Sequence, residues 1–146
     1  MELRDERGSA IPEFALVLPL LGFLLFGMIE FGLLMFNKQV ITNASREAAR
    51  AGILIDPPVP AESNYEAWVK GIASSYCSDY LITFSTTGSP AIDLTFPADP
   101  AFGDELKVEV TYTYSFLIFD ALAGLFGGGT DWDTTDLYAR TVMRYE

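Results

Sequence analysis

Gly8 and Glu13 are the residues whose types and spacing could carry chemistry in this chain. They stand in Arg7-Gly8-Ser9-Ala10-Ile11-Pro12-Glu13-Phe14, and an uncharged run then continues to Ile29. A carboxylate at the edge of so apolar a segment is expensive and calls for a compensating charge. If the chain is cut after Gly8, Ser9 acquires an α-ammonium group. Glu13 then lies just over one helical turn away, near enough to neutralise it. Glycine suits a scissile position, because no side chain obstructs a peptidase approaching the backbone. The plainer reading of the pair is a flexible residue before a helix and a first-turn carboxylate favoured by the helix macrodipole.

Other chemistry has little to work with. The chain has no histidine for acid–base catalysis and one cysteine, Cys77, with no imidazole to activate it. A small buried thiol is the expected role of Cys77. Asp131, Asp133 and Asp136 form an acidic cluster. No glycine follows Asp131 by five residues and no glutamate by eleven, which excludes an EF-hand and leaves a polar turn. The residues thus point to a protein that is not an enzyme, with no catalytic, cofactor-binding or metal-binding set. The formal net charge of −11 offers nothing to attract nucleic acid.

The element that must position Gly8 and Glu13 is a long helix. Between Phe14 and Phe36 stand fifteen Leu, Ile, Val or Phe residues. At roughly −0.3 to −0.6 kcal/mol each, they outweigh a penalty of about +3 kcal/mol for one charge such as Glu30. These residues reach about 35 Å as a helix, enough to cross a hydrocarbon core of about 30 Å once. The run is too long for the core of a cleavable secretory signal, and Asn37-Lys38-Gln39 offers no small-residue cleavage pattern. Residues 1–8 hold Arg4 and Arg7 against Glu2, Asp5 and Glu6, so they are not a basic leader of that kind. Lys38, Arg46 and Arg50, beyond the span, favour an orientation with that side in the cytoplasm under the positive-inside rule.

Pro12 opens the helix where its missing N–H costs little, and Pro19 is expected to kink it. Past Phe36, the residues Val40, Ile41, Ala44, Ala48 and Ala51 keep an apolar stripe at helical spacing. The helix is expected to run from Pro12 to about Leu54, about 65 Å in length. Glu30 falls about 24 Å along it from Phe14, near the outer boundary, where it can snorkel or take part in subunit packing. Arg46 and Arg50 share a face and Glu47 can pair with Arg50; this is either solvated surface or a contact with a neighbouring subunit. Gly22, Gly27 and Gly32 recur every fifth residue, which rotates them to different faces and makes a locally weakened helix rather than a dimer stripe.

Asp56-Pro57-Pro58-Val59-Pro60 reads as a stiff linker. A second helix is expected over 63–80, with Tyr65, Trp68, Val69, Ile72, Ala73 and Tyr76 on one face, packed most simply on a sheet. Residues 81–86 and 91–96 flank the turn Thr87-Gly88-Ser89-Pro90 and suggest a hairpin. Residues 106–116 alternate cleanly, with Leu106, Val108, Val110, Tyr112, Tyr114 and Phe116 on one face. A last strand is expected over 137–145. An apolar insert at 117–129 is too short to span a bilayer; it either packs on the sheet or meets a membrane surface or partner. The fold class is therefore α+β: a long transmembrane helix extending into a small domain, in which a second helix packs on an antiparallel sheet of about four strands. The organisation is 1–8 leader, 9–36 transmembrane helix, 37–55 extramembrane continuation and 56–146 α+β domain.

Three stretches together resemble a known family. Arg7-Gly8-Ser9-Ala10-Ile11-Pro12-Glu13-Phe14-Ala15-Leu16-Val17-Leu18-Pro19-Leu20, then Phe26-Gly27-Met28-Ile29-Glu30-Phe31-Gly32, then Thr42-Asn43-Ala44-Ser45-Arg46-Glu47-Ala48-Ala49-Arg50 look like a TadE-like pseudopilin, a type IV pilin-like protein. A strand with Tyr112-Thr113-Tyr114 and the ending Ala139-Arg140-Thr141-Val142-Met143-Arg144-Tyr145-Glu146 fit the same pattern. Pro12 departs from it, where such sequences more often carry a small or β-branched residue. The resemblance implies cleavage after Gly8 by a prepilin peptidase at the cytoplasmic face, with Glu13 compensating the new amine of Ser9. It implies an N-terminus in the cytoplasm, a single pass through the inner membrane, and a domain on the periplasmic or extracellular side. The implied role is a minor pilin or assembly component of a tight-adherence, Flp-type pilus or related secretion machine. Its partners would be other pilins, the inner-membrane assembly platform and membrane lipid. The competing reading is an anchored adhesin or binding module that never enters a filament and keeps residues 1–8.

Overall fold

The computed structural model describes residues 10–54, 62–83, 88–97, 101–116 and 134–145. Two helices, α1 (Ala10–Ile53) and α2 (Glu62–Tyr80), precede three strands, β1 (Ala91–Thr95), β2 (Glu105–Ser115) and β3 (Thr134–Arg144). The strands form one antiparallel sheet in the order β1-β2-β3. The expected α+β architecture is thus present, with a long apolar helix leading into a small domain.

α1 runs 44 residues and passes through Pro19 without interruption. Its surface divides at Glu30. From Ile11 to Ile29 nearly every side chain is exposed, and Leu16, Met28 and Leu20 are among the most exposed of all. From Glu30 onward one face is buried: Glu30, Asn37, Ile41, Ala44, Ser45, Ala48, Ala49 and Gly52, with Leu33 and Leu34 packed alongside. Steps of three and four keep these residues on one side of a 3.6-residue helix. The stripe is broader than the sequence suggests, since Ser45 and Ala49 join it while Ala51 is only half-buried.

α2 returns along α1 in the opposite direction. Its first turns meet the end of α1, where the Tyr65 hydroxyl donates to the Gly52 carbonyl at 2.9 Å. Its exit lies beside Asn37, 15 positions earlier in α1. Tyr65, Val69, Ala73 and Cys77 are buried at every fourth residue. The main partner of this face is α1, with the edge strand β1 as a smaller contact, rather than the sheet surface. Trp68, expected on the buried face, is 44% exposed, because Val69 and Tyr65 occupy the centre of the contact.

β2 alternates as its sequence requires, with Leu106, Val108, Val110, Tyr112 and Tyr114 buried against the helices. Full burial of Ile41, Val69, Leu106, Val108 and Val110 contributes roughly 1.5–3 kcal/mol apiece as an upper bound. β3 buries Leu137 and Ala139 and begins at Thr134, three residues before the expected start. The turn 101–104 joins the sheet to the chain end. Asp104 N–H donates to the Ala101 carbonyl at 3.0 Å, and Gly103 holds φ +92, a conformation that favours glycine.

One expected strand is absent where it can be seen. Residues 81–83 pair with no strand, and 84–87 lie outside the described residues. Leu81 N–H donates to the Cys77 carbonyl at 2.9 Å, closing the last turn of α2. Ile82 then gives both backbone groups to the Asn37 amide, Nδ2 to carbonyl at 2.8 Å and N–H to Oδ1 at 3.0 Å. A side chain thus takes the bonds that a neighbouring strand would have used. β1 pairs instead with β2, from Ala91 opposite Thr111 to Thr95 opposite Lys107.

Candidate functional site

The candidate site is the anchor helix with its carboxylates Glu13 and Glu30. Gly8 and Ser9, the expected cleavage pair, lie outside the described residues, as do the insert 117–129, Asp131 and Asp133. Glu13 sits in the first turn of α1 and is exposed. There its negative charge is favoured by the unsatisfied N–H groups of the helix start. The same position leaves it available to a positive group approaching that end of the helix.

Glu30 behaves differently. It does not snorkel outward; it is 1% exposed and turned into the domain. The Tyr114 hydroxyl donates to its Oε1 at 2.7 Å. Burial chiefly, and next this hydrogen bond, push the Tyr114 phenol well above its ordinary range, so it stays a donor. Tyr114 also meets Phe116 edge to face, with ring centroids 5.5 Å apart. The contact of Glu30 is therefore intramolecular, between the anchor helix and the far end of β2.

At the other end of the domain a second polar group ties the same layers. The Tyr65 hydroxyl, besides binding the Gly52 carbonyl, lies 2.9 Å from the Tyr145 hydroxyl, and the Tyr65 ring packs edge to face on Phe96. Burial first, then the bond to Tyr145, raises the Tyr65 phenol well above its ordinary range. A side chain at Gly52 would collide with Leu106 Cδ2 and come within 2.9 Å of the Tyr65 hydroxyl. Midway, Ser45 Oγ lies 2.7 Å from Thr141 Oγ1, and Lys38 Nζ donates to the Tyr138 carbonyl. Glu30, Lys38 and Ser45 thus fasten α1 to the sheet along its upper half, and Gly52 fastens it to α2.

Arg46, Glu47 and Arg50 are exposed, and Glu47 and Arg50 close no ion pair among the described residues. Asp136 accepts a bond from Thr113 Oγ1 at 2.7 Å, a cross-strand contact on the solvent face. Cys77 is fully buried, and burial pushes its thiol up to about 11, which keeps it protonated and unreactive at neutral pH. On the outer sheet face, Glu109 receives Lys107 Nζ at 2.8 Å and the Tyr138 hydroxyl at 2.6 Å, with Arg140 at 3.7 Å. Bonding to Lys107 and then to Tyr138 holds its carboxyl below the ordinary 4.5.

The sequence pattern marks neither Asn37, which binds the Ile82 backbone, nor Tyr114 as the partner of Glu30. A signal was present for Glu30, however, since 30, 34, 37, 41, 44 and 48 follow alternating steps of four and three. Extending the apolar stripe toward the N-terminus places Glu30 on the buried face rather than at the lipid edge.

Among the described residues, α1 is long and apolar enough to serve as a single-pass membrane anchor. Comparison with curated proteins and with solved structures finds no match. A family model described as TadE-like protein matches residues 8–50, from the glycine before the helix almost to its end, so this segment of the chain is similar to TadE-like proteins.

Proposed function

We propose that this protein is a TadE-like minor pilin or pseudopilin, anchored by α1 and working in the assembly of a tight-adherence, Flp-type pilus or related secretion system. The observation that carries the reading is the coincidence of the family match, residues 8–50, with one unbroken helix, Ala10–Ile53. In this reading a prepilin peptidase cuts after Gly8 on the cytoplasmic side. The amine of Ser9 is then balanced by Glu13, on the same chain or on a neighbouring subunit. Compensation at low dielectric lets the apolar half of α1 leave lipid for a packed assembly. The domain stands on the periplasmic or extracellular side and performs no catalysis. Arg46 and Arg50, exposed on the outer face of α1, are free to meet other pilins or the inner-membrane platform.

Two variants test the proposal in cells that build the filament. Gly8→Ala should leave an uncut precursor of lower gel mobility. Glu13→Ala should be cut normally yet fail to support assembly. Normal filaments from both variants would refute the assignment.

A further inference from the structure

We propose that the lower rim of the domain is seated in the interfacial layer of the bilayer, so that the protein touches lipid through its domain as well as its span. The inference rests on the reading of α1 as a membrane anchor and adds a second lipid contact to it. It comes from a mismatch along α1. On the side facing the domain, protein contact begins at Glu30, which Tyr114 covers. On the open side, exposed apolar side chains continue past that level to Phe31, Met35 and Phe36, at 64%, 44% and 46% exposure. The two zones overlap from Glu30 to Asn37, about 10 Å of helix.

The bilayer supplies a layer of suitable character at that height. Headgroup regions add about 5–7 Å to each side of the hydrocarbon core. The 19 residues from Ile11 to Ile29 span about 28 Å, nearly the whole core, so the overlap begins at the edge of the core and extends through this layer. The domain presents matching side chains there. At the foot of α2, Tyr80 is 55% exposed and Ile82 37% exposed, and the Asn37 amide holds Ile82 at the level of the overlap. At the foot of β2, Phe116 packs on Tyr114, beside Glu30. No charged residue occurs from Tyr80 to Thr83 or from Tyr114 to Phe116. Tyrosine with a wet hydroxyl and an apolar ring is the side chain favoured at that depth. Continuity with the exposed surface of the span selects lipid over a second copy of the chain as the occupant.

The test places single tryptophans in the full chain, after Trp68 and Trp132 are changed to Phe. The protein is reconstituted in phosphatidylcholine–phosphatidylglycerol vesicles, with either acyl-brominated or headgroup spin-labelled lipid as quencher. Phe23→Trp reports the span, Tyr80→Trp and Phe36→Trp the rim, and Phe102→Trp the opposite pole, where Phe102 is 87% exposed. The expected result is loss of emission with the headgroup quencher for both rim reporters and none for Phe102→Trp. Unquenched rim reporters beside a Phe23→Trp reporter quenched by brominated chains would overturn the seating and leave the anchor intact. A rim reporter whose emission instead depends on protein density would show a second copy there and also overturn it. An unquenched Phe23→Trp reporter would remove the anchor reading itself, and the seating with it.

Discussion

Tyr114 and Glu30, 84 positions apart, meet at 2.7 Å and join the far end of β2 to the anchor helix. At the opposite end of the domain Tyr65 of α2 bridges the Gly52 carbonyl of α1 and the hydroxyl of Tyr145, which follows β3. Between these two points α1 lies along β2 and β3 with a face of small residues, Ala44, Ser45, Ala48 and Ala49. Small side chains allow close approach, and the two tyrosines fix where along the helix the sheet sits.

Tyr114→Phe keeps the ring and removes only the hydroxyl. The variant is expected to lose about 1–3 kcal/mol, the cost of withdrawing a partner from a buried polar group. Denaturant unfolding of the detergent-solubilised protein, followed by near-ultraviolet circular dichroism, measures it. An unchanged midpoint would mean that the contact does not hold the domain to the helix.

Gly52→Ala should be costly where Gly22→Ala is not. The added methyl at Gly52 meets Leu106 and the Tyr65 hydroxyl, and overpacking of this kind typically costs about 1–3 kcal/mol. Gly22 has open space around it, so alanine there should be neutral or raise helix stability by up to about 1 kcal/mol. Thermal melts of the two variants in one detergent give the comparison directly.

Asn37→Ala should free both backbone groups of Ile82. Faster hydrogen exchange at the Ile82 amide is expected, with a stability loss of about 1–3 kcal/mol. Asn37→Asp keeps the acceptor for the Ile82 N–H and loses the donor to its carbonyl, so exchange at that amide should rise less.

Glu109 supplies a pH dependence. Its folded-state value lies below the ordinary 4.5, so its contribution is present above that value and is lost as acid carries the pH down through the folded one. Glu109→Gln should therefore lower stability at neutral pH and flatten the acid side of the stability–pH curve. A curve parallel to that of the parent protein would show that the Lys107 and Tyr138 contacts carry no linkage.

Much of this arrangement is legible in the residues. The period-two run from Leu106 and the 3.6-period stripe from Val40 mark β2 and the upper half of α1, because each buries one continuous face. The face of α2 is legible at Tyr65, Val69 and Ala73 and misleading at Trp68, whose bulk lies at the margin of a helix–helix contact. Residues 81–83 have the composition of a strand, but Asn37 intercepts their backbone, and a contact over 45 positions leaves no local pattern. Glu30 reads as a boundary charge until the stripe is extended back to it, and even then its partner on β2 leaves no local pattern. For the candidate site, the sequence pattern names Gly8 and Glu13, while the structure adds how the domain grips the helix that carries Glu13.

The most direct measurement is the intact mass and N-terminal sequence of the protein recovered from membranes and from sheared filaments. The account predicts a chain beginning at Ser9, without residues 1–8. A functional filament system that holds only the chain beginning at Met1 would contradict it.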